Sequence, residues 1–338
     1  MKYYLFQFKF KTPVHFGIAE FGRNLGLVSL NCGADTFVSA LMDELASMDD
    51  SIFQSLLRKL QFGSVVFSDL LPYYIDDRGE SEFYIPVPLR RINDSVITEE
   101  HRYSFSELCY LHAEERKQEQ MVFVRASNLA QYLAAQKTGQ IYKPEEHEFG
   151  WFGMQKRLNS RKQGNEVYFL GYYQFTANAG LYCVGLEDEN DAIKLERYFC
   201  LLGLEGIGGK KSSGMGKFEL LDSMIEMDEY GVFEDDKALY SLLQDTTSPW
   251  QMNISVVSPG PGDAAIVKAG TYKLIKRSGF VFNEITKSYQ KRGNIYMLRA
   301  GSCLPERVKG RFIKLYDKAE AGHDVYRYAK GMYVGLPL

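Results

Sequence analysis

Cysteine is sparse and unpatterned in this chain. The five residues Cys32, Cys109, Cys183, Cys200 and Cys303 are odd in number and none falls in a C-x-x-C spacing. That excludes a disulfide framework and a zinc ribbon, and points to reduced, mostly buried thiols in a reducing compartment. Histidine is equally thin, with five residues and no H-x-x-x-H or Cys/His set, so neither a metal nor a cofactor is expected. No apolar run is long enough to cross a bilayer. The chain begins directly on a strand pattern without a signal-like segment, so a cytoplasmic protein is expected. A surplus of positive charge is also missing. The net charge of −3 excludes a uniformly basic nucleic-acid coat, so any polyanion site must come from local segregation.

Segregation is visible. Acids gather in 43–50, 114–119, 187–191 and 226–236, and bases in 156–162, 210–217, 268–277 and 287–299. The densest of these features is 203–217, where glycines at 203, 206, 208, 209, 214 and 216 surround Lys210, Lys211, Ser212, Ser213 and Lys217. No acid lies between Glu205 and Glu219. Glycine permits positive φ, and successive N–H groups in such a loop can converge on an anion. The pattern is not a P-loop: Lys211 follows Gly209-Lys210, Leu204 occupies the first glycine position, and a helix precedes the loop where a strand should. The dinucleotide pattern G-x-G-x-x-G fails at Lys211. A polyanion backbone, which needs many modest donors, fits better; a merely flexible turn with solvated lysines is the alternative.

Taken in order, residues 3–11 read as a strand, 12–26 as a loop, 37–46 and 52–60 as helices, and 64–74 as a strand hairpinned with 82–85. Residues 93–150 break the pattern. Their charges and helical stretches at 104–119 and 128–135 suggest an insertion projecting from a sheet and a protein–protein surface. Two strands, 151–160 and 166–176, flank a basic turn, and a strand at 181–185, a helix at 191–204 and a strand at 217–220 follow. This is the order of a ferredoxin-like βαββαβ sheet. The acidic stretch 226–245 reads as a linker ending in a helix, and 246–338 as a mostly β or degenerate second unit with strands at 251–257, 271–282, 293–302, 310–316 and 332–336. The expectation is an α+β protein with two ferredoxin-like domains and antiparallel sheets, 1–225 with the insertion 93–150 and the glycine loop 203–217, then 226–338.

Three motifs together, TPVHFG…GRNLG with Asp35-Thr36-x-x-Ser39, the loop Gly206–Phe218, and the pair Arg277-Ser278-Gly279-Phe280 and Arg327-Tyr328-Ala329-Lys330-Gly331, resemble the RAMP proteins of CRISPR systems. More narrowly, the chain is similar to the family of subunit four of the type III-A Csm complex. The resemblance implies RRM-like domains and a non-catalytic subunit that holds the 5′ tag of the CRISPR RNA (crRNA). Its implied protein partners are the large polymerase-like subunit and the first backbone subunit, with target RNA met indirectly. It places tag phosphates on Gly206, Gly208, Gly209, Lys210, Lys211, Ser212 and Ser213, with His15, Phe16, Arg23 and Asn24 near them. Arg157, Arg161 and Lys162 correspond to a protruding RNA-facing hairpin. Lys276 and Arg277, on a strand of the second unit that closes over the tag, complete the RNA-binding set.

Catalysis has one candidate. His15 lies in a loop expected to meet RNA, and the alternative function is a metal-independent crRNA-processing endoribonuclease with His15 as base. No partner at telling spacing supports it, so no catalytic residue is expected. His101, His112 and His147 read as surface residues, Asp35 as a helix N-cap and Asp76-Asp77 as a turn pair. A small-nucleotide binder using the glycine loop is a third possibility.

Overall fold

The computed structural model describes residues 2–18, 24–90, 120–144, 147–159 and 166–337. Its frame is an antiparallel sheet built around β1 (Lys2–Phe10). The chain then runs through β2 (Phe16–Gly17), β3 (Val28–Ser29), α1 (Ala34–Met48), α2 (Asp50–Phe62), β4 (Val66–Phe67), β5 (Leu71–Ile75), β6 (Ser81–Pro86), β7 (Phe123–Arg125) and α3 (Leu129–Thr138). Next come the hairpin β8 (Gly150–Asn159) and β9 (Glu166–Phe175), β10 (Ala179–Glu187), α4 (Glu189–Glu205), β11 (Phe218–Leu220), β12 (Ile225–Met227) and α5 (Glu234–Gln244). The sheet order is β11-β1-β10-β5-β6-β7, with β12 also pairing β1 and β4 also pairing β10. Register is anchored by Phe6 opposite Cys183 and Tyr4 opposite Gly185.

Period-two alternation in β1 sends Tyr4, Phe6, Phe8 and Phe10 to one face, where they pack with Phe37, Val38 and Leu41 of α1 and Leu195, Phe199 and Leu202 of α4. The opposite face is apolar as well. Leu5, Tyr182 and Val184 meet Leu129 and Leu133 of α3 and Leu239 and Leu243 of α5. Burial on both sides explains why the central strands are hydrophobic nearly throughout. Asp49 caps α2 by accepting from the N–H groups of Ser51 and Ile52, and Asp188 caps α4 through the N–H of Asp191.

The acidic stretch 226–245 is not a linker. β12 joins the sheet, and Leu239 and Leu243 of α5 cover one of its faces. The Asp235 carboxylate is fully buried, accepting from the N–H groups of Phe83 (3.0 Å) and Ser127 (2.9 Å) and from Arg125 Nε (2.7 Å). Of the expected insertion, 93–119 and 145–146 lie outside the described residues. The rest extends the sheet through β7, which pairs β6, and buries Leu129, Tyr132 and Leu133. His147 is not a simple surface residue: its ring stacks on Tyr74 at 4.1 Å, and its Nε2 lies 3.3 Å from Glu82.

Beyond α5 the structure is mostly β. β13 (Gln251–Asn253) sits between β18 (Cys303–Leu304) and β21 (Tyr333–Gly335). Two-stranded ribbons pair β14 (Leu274–Arg277) with β17 (Ile295–Leu298), β15 (Phe280–Asn283) with β16 (Ser288–Lys291), and β19 (Gly310–Tyr316) with β20 (Val325–Lys330). The strand expected at 271–282 is thus two, broken at Ser278-Gly279. Val256, Met297, Tyr328 and Ala329 enter the apolar cluster of α1 and α4, while Met252, Ile254, Met332 and Val334 enter that of α5. The apolar packing therefore runs without a break across the boundary expected at 225/226. Cys32, Cys183 and Cys303 are buried free thiols, whereas Cys200 is exposed.

Candidate nucleic-acid interface

The glycine loop begins where α4 ends at Glu205. Gly206, Gly208, Gly214 and Gly216 all take positive φ, and so does Lys210 at 65°, uncommon for a residue with a side chain. Two close approaches require glycine. A Cβ on Gly208 would lie 2.9 Å from the His15 carbonyl oxygen, and one on Gly216 would fall against the Ile207 carbonyl oxygen. The loop is consequently clamped to the segment after β1.

That clamp engages many of the loop's own donors. Gly206 N–H bonds Leu202 O, Ile207 N–H bonds Gly216 O, Gly209 N–H bonds His15 O and Gly216 N–H bonds Pro13 O. A short 3₁₀ turn, Lys211–Ser213, uses the N–H groups of Ser213 and Gly214. The loop is not an open nest of amides: among the described residues, only the N–H groups of Gly208, Lys210, Lys211 and Ser212 find no acceptor within it or against it. Ser212 and Ser213 are exposed, and Lys210 and Lys211 half-buried. Lys210 Nζ lies 5.1 Å from the centre of the Tyr168 ring on β9, and Lys211 Nζ is 3.9 Å from Asp43 of α1.

His15 and Phe16 meet this loop, as expected, but both are buried. His15 Nδ1 donates to Gly171 O at 2.8 Å, joining the post-β1 segment to β9. Asn24 is exposed, and its side chain accepts from the N–H of Gly26. Arg157 is half-buried on β8 beside Gln155. Arg23, Arg161 and Lys162 lie outside the described residues. The β8–β9 hairpin leaves Trp151, Phe152, Met154, Leu158, Val167 and Phe169 exposed.

A cleft of about 1,110 Å³ opens beside the loop. Gly208, Gly209, His15 and Phe16 form one wall, and Lys273, Lys276, Arg277 and Arg299 line another. Arg277 differs from its expected role. Its guanidinium is 3.0 Å from Asp35 Oδ1, on a carboxylate with no exposed surface. The same carboxylate receives Arg327 Nη1 at 2.7 Å, and Arg327 also donates to Ser278 O. Asp35 is not an N-cap either, since Gly33 holds that position. Arg292 stands in the same neighbourhood, its pKa lowered by burial and then by Arg327. Several guanidiniums thus gather about one carboxylate at the seam between α1 and the C-terminal ribbons.

Asp69 is the second residue the sequence reading passed over. It is 2% exposed at the cleft floor, and its Oδ1 accepts from the N–H groups of Ala34 (2.7 Å) and Val256 (2.9 Å). Burial pushes its carboxyl up to about 7. The available signal was the polar pair Ser68-Asp69 inside an otherwise apolar stretch. The structure breaks that stretch there into β4 and β5.

The comparisons with known proteins agree over the whole chain. Residues 246–336 match the family described as CRISPR Csm4 C-terminal domain. The CRISPR system Cms protein Csm4 of Mycobacterium tuberculosis is 26% identical over 337 residues, covering 98% of this chain and 97% of that protein. Along nearly its whole length the chain is similar to Csm4 proteins. Among solved structures, the Csm3–Csm4 subcomplex of a type III-A interference complex aligns over 100% of both chains with a TM-score of 0.61 at 16% identity. A Csm1–Csm4 cassette aligns over 100% of this chain and 99% of the other at 0.59 and 14%. These likenesses establish a shared fold, mixed α/β with antiparallel sheets.

No group of three or more His, Cys, Asp or Glu side chains capable of holding a metal occurs among the described residues. No helix among them is long and apolar enough to cross a membrane.

Proposed function

We propose that this chain is the non-catalytic RNA-binding subunit of a type III-A Csm effector, holding the 5′ tag of the crRNA in the cleft beside the glycine loop. The observation that carries this reading is the meeting of that loop with Lys273, Lys276 and Arg299 across a cleft of about 1,110 Å³. Phosphates would lie along the cations and the unengaged amides of Gly208, Lys210, Lys211 and Ser212. The exposed aromatics of β8 and β9 offer stacking surfaces for unpaired bases. Relatives whose structures were solved with Csm1 and with Csm3 support the large polymerase-like subunit and a backbone subunit as partners. The strand order β11-β1-β10-β5 further supports a ferredoxin-like unit in residues 1–225, with α5 packed onto its sheet.

Filter binding of tag RNA at several salt concentrations tests the reading. Lys210→Glu combined with Lys211→Glu is expected to weaken capture by about tenfold or more and to flatten the salt dependence. Unchanged binding would remove the glycine loop from the site. The endonuclease reading is less favoured, because His15 is buried and its Nδ1 is committed to Gly171 O. Cleavage of repeat RNA in EDTA that disappears in His15→Ala would restore it.

A further inference from the structure

The cleft is basic on its wall and acidic at its floor, and the acidic group is only half engaged. Both hydrogen bonds to Asp69 fall on Oδ1, from the N–H groups of Ala34 and Val256. Oδ2 receives nothing from the described residues, and it is not a sealed, unsatisfied atom. Since Asp69 lines the cleft while only 2% exposed, Oδ2 is a recessed acceptor at the bottom of the groove. A phosphate is repelled there. The ligand group that fits is a hydrogen-bond donor that projects far enough to reach a recessed oxygen.

We propose that Asp69 is a specificity-determining residue whose Oδ2 accepts a hydrogen bond from the exocyclic amino group of one base of the bound RNA strand. The inference rests on the RNA-binding reading and adds base selection to it. An amino group stands at the corner of adenine, cytosine or guanine and can enter a narrow opening. The N–H of uracil is flanked by two carbonyls that would face the carboxylate. Guanine gains no bidentate advantage, because Oδ1 is already doubly occupied. The cations on the wall hold phosphates and carry little sequence information, so the floor is where selection is exerted.

Asp69→Asn provides a near-isosteric inversion. The two backbone N–H groups require an oxygen at Oδ1, which fixes the amide with its NH₂ in the place of Oδ2 and keeps the seam hydrogen-bonded. The test uses the full chain and short single-stranded RNAs in which each position in turn is A, C, G or U. It is run at pH 8, above the ionisation of Asp69; Arg277 and Asp35, with Tyr328 and Cys32 beside them, are the titratable or charged groups that bear on it. The wild-type chain is expected to disfavour U by about 5- to 50-fold at one position. Asp69→Asn should lose or reverse that preference while total affinity stays within about threefold. Equal tolerance of all four bases by wild type, or a preference that survives Asp69→Asn, overturns the inference and leaves RNA binding standing. A loss produced by 2′-deoxy substitution and not by base change, and abolished in Asp69→Asn, overturns it in favour of a sugar contact. Absence of RNA binding by wild type overturns both readings together.

Discussion

The glycine loop and the seam beneath the cleft use opposite strategies. The loop is a surface feature held by backbone: positive-φ glycines, carbonyl acceptors from Pro13 and His15, and lysines near its apex. The seam is a buried feature held by side chains. Asp35 and Asp69 bind groups more than 180 residues away, through Arg277, Arg327 and the N–H of Val256. The loop can lose a charge and keep its shape, because its charges do not hold it. At Asp35 the seam cannot, because removing that carboxylate leaves buried guanidiniums unpaired.

The sharpest way to break this comparison is Asp35→Ala. It strands the guanidiniums of Arg277 and Arg327 in a region where Asp35 has no exposed surface and Arg327 has only 5% of its side chain exposed. Removing one member of such a buried set is expected to cost about 3–5 kcal/mol, read by urea or thermal unfolding. Asp35→Leu with Arg327→Met should recover part of the loss. A cost below about 1 kcal/mol would show that the ion pairs are incidental to the seam.

Within the loop, the backbone is the vulnerable part. Gly216→Ala places a side chain at φ 79° against the Ile207 carbonyl. A loss of about 1–3 kcal/mol is expected, together with reduced RNA capture. The lysine double variant should shift Tm by no more than about 2 °C while losing RNA. Equal destabilisation by both would collapse the distinction between shape and charge.

A third contrast is with Glu187, buried at the end of β10 with neither carboxylate oxygen hydrogen-bonded. Burial first, then Asp191 and Asp188, raises its pKa to about 8. A carboxyl raised above its unfolded value contributes stability that is complete at low pH and is lost as pH rises through the folded pKa. Stability should therefore fall between about pH 5 and pH 8.5. Glu187→Gln should flatten that fall and gain about 1–3 kcal/mol at pH 8.5. Asp69, raised to about 7, acts in the same direction over a lower window, and its two backbone hydrogen bonds oppose the shift. A wild-type stability flat from pH 5 to 8.5 would contradict both.

Local pattern made the frame legible. The alternation of Tyr4, Phe6, Phe8 and Phe10 marks β1, the periodicity of α4 and its Asp188 cap mark that helix, and the glycine spacing marks the loop. What stayed hidden depends on partners distant in sequence. Asp235 reads as part of an acidic linker because nothing nearby shows that Phe83, Ser127 and Arg125 will satisfy it. Asp35 reads as a cap for the same reason, and Arg277 as a free cation. A charged residue's sequence neighbours say whether it sits on a helix or strand; only the fold says whether its charge is already used.

The smallest expected effect separates these uses most finely. Lys211 lies 3.9 Å from Asp43, whose side chain is 82% exposed. A pair so open to water contributes little to folding, so Asp43→Ala should leave Tm within about 1 °C. The carboxylate nevertheless lowers the positive potential at the loop apex. Its removal is expected to raise affinity for tag RNA by about 1.5- to 3-fold at low salt, with the gain disappearing above about 0.3 M as screening shortens the reach of each charge. A stability change without an affinity change would mean that Lys211 belongs to the scaffold and not to the phosphate-facing surface. An affinity gain without a stability change would place it among the charges left over for a partner.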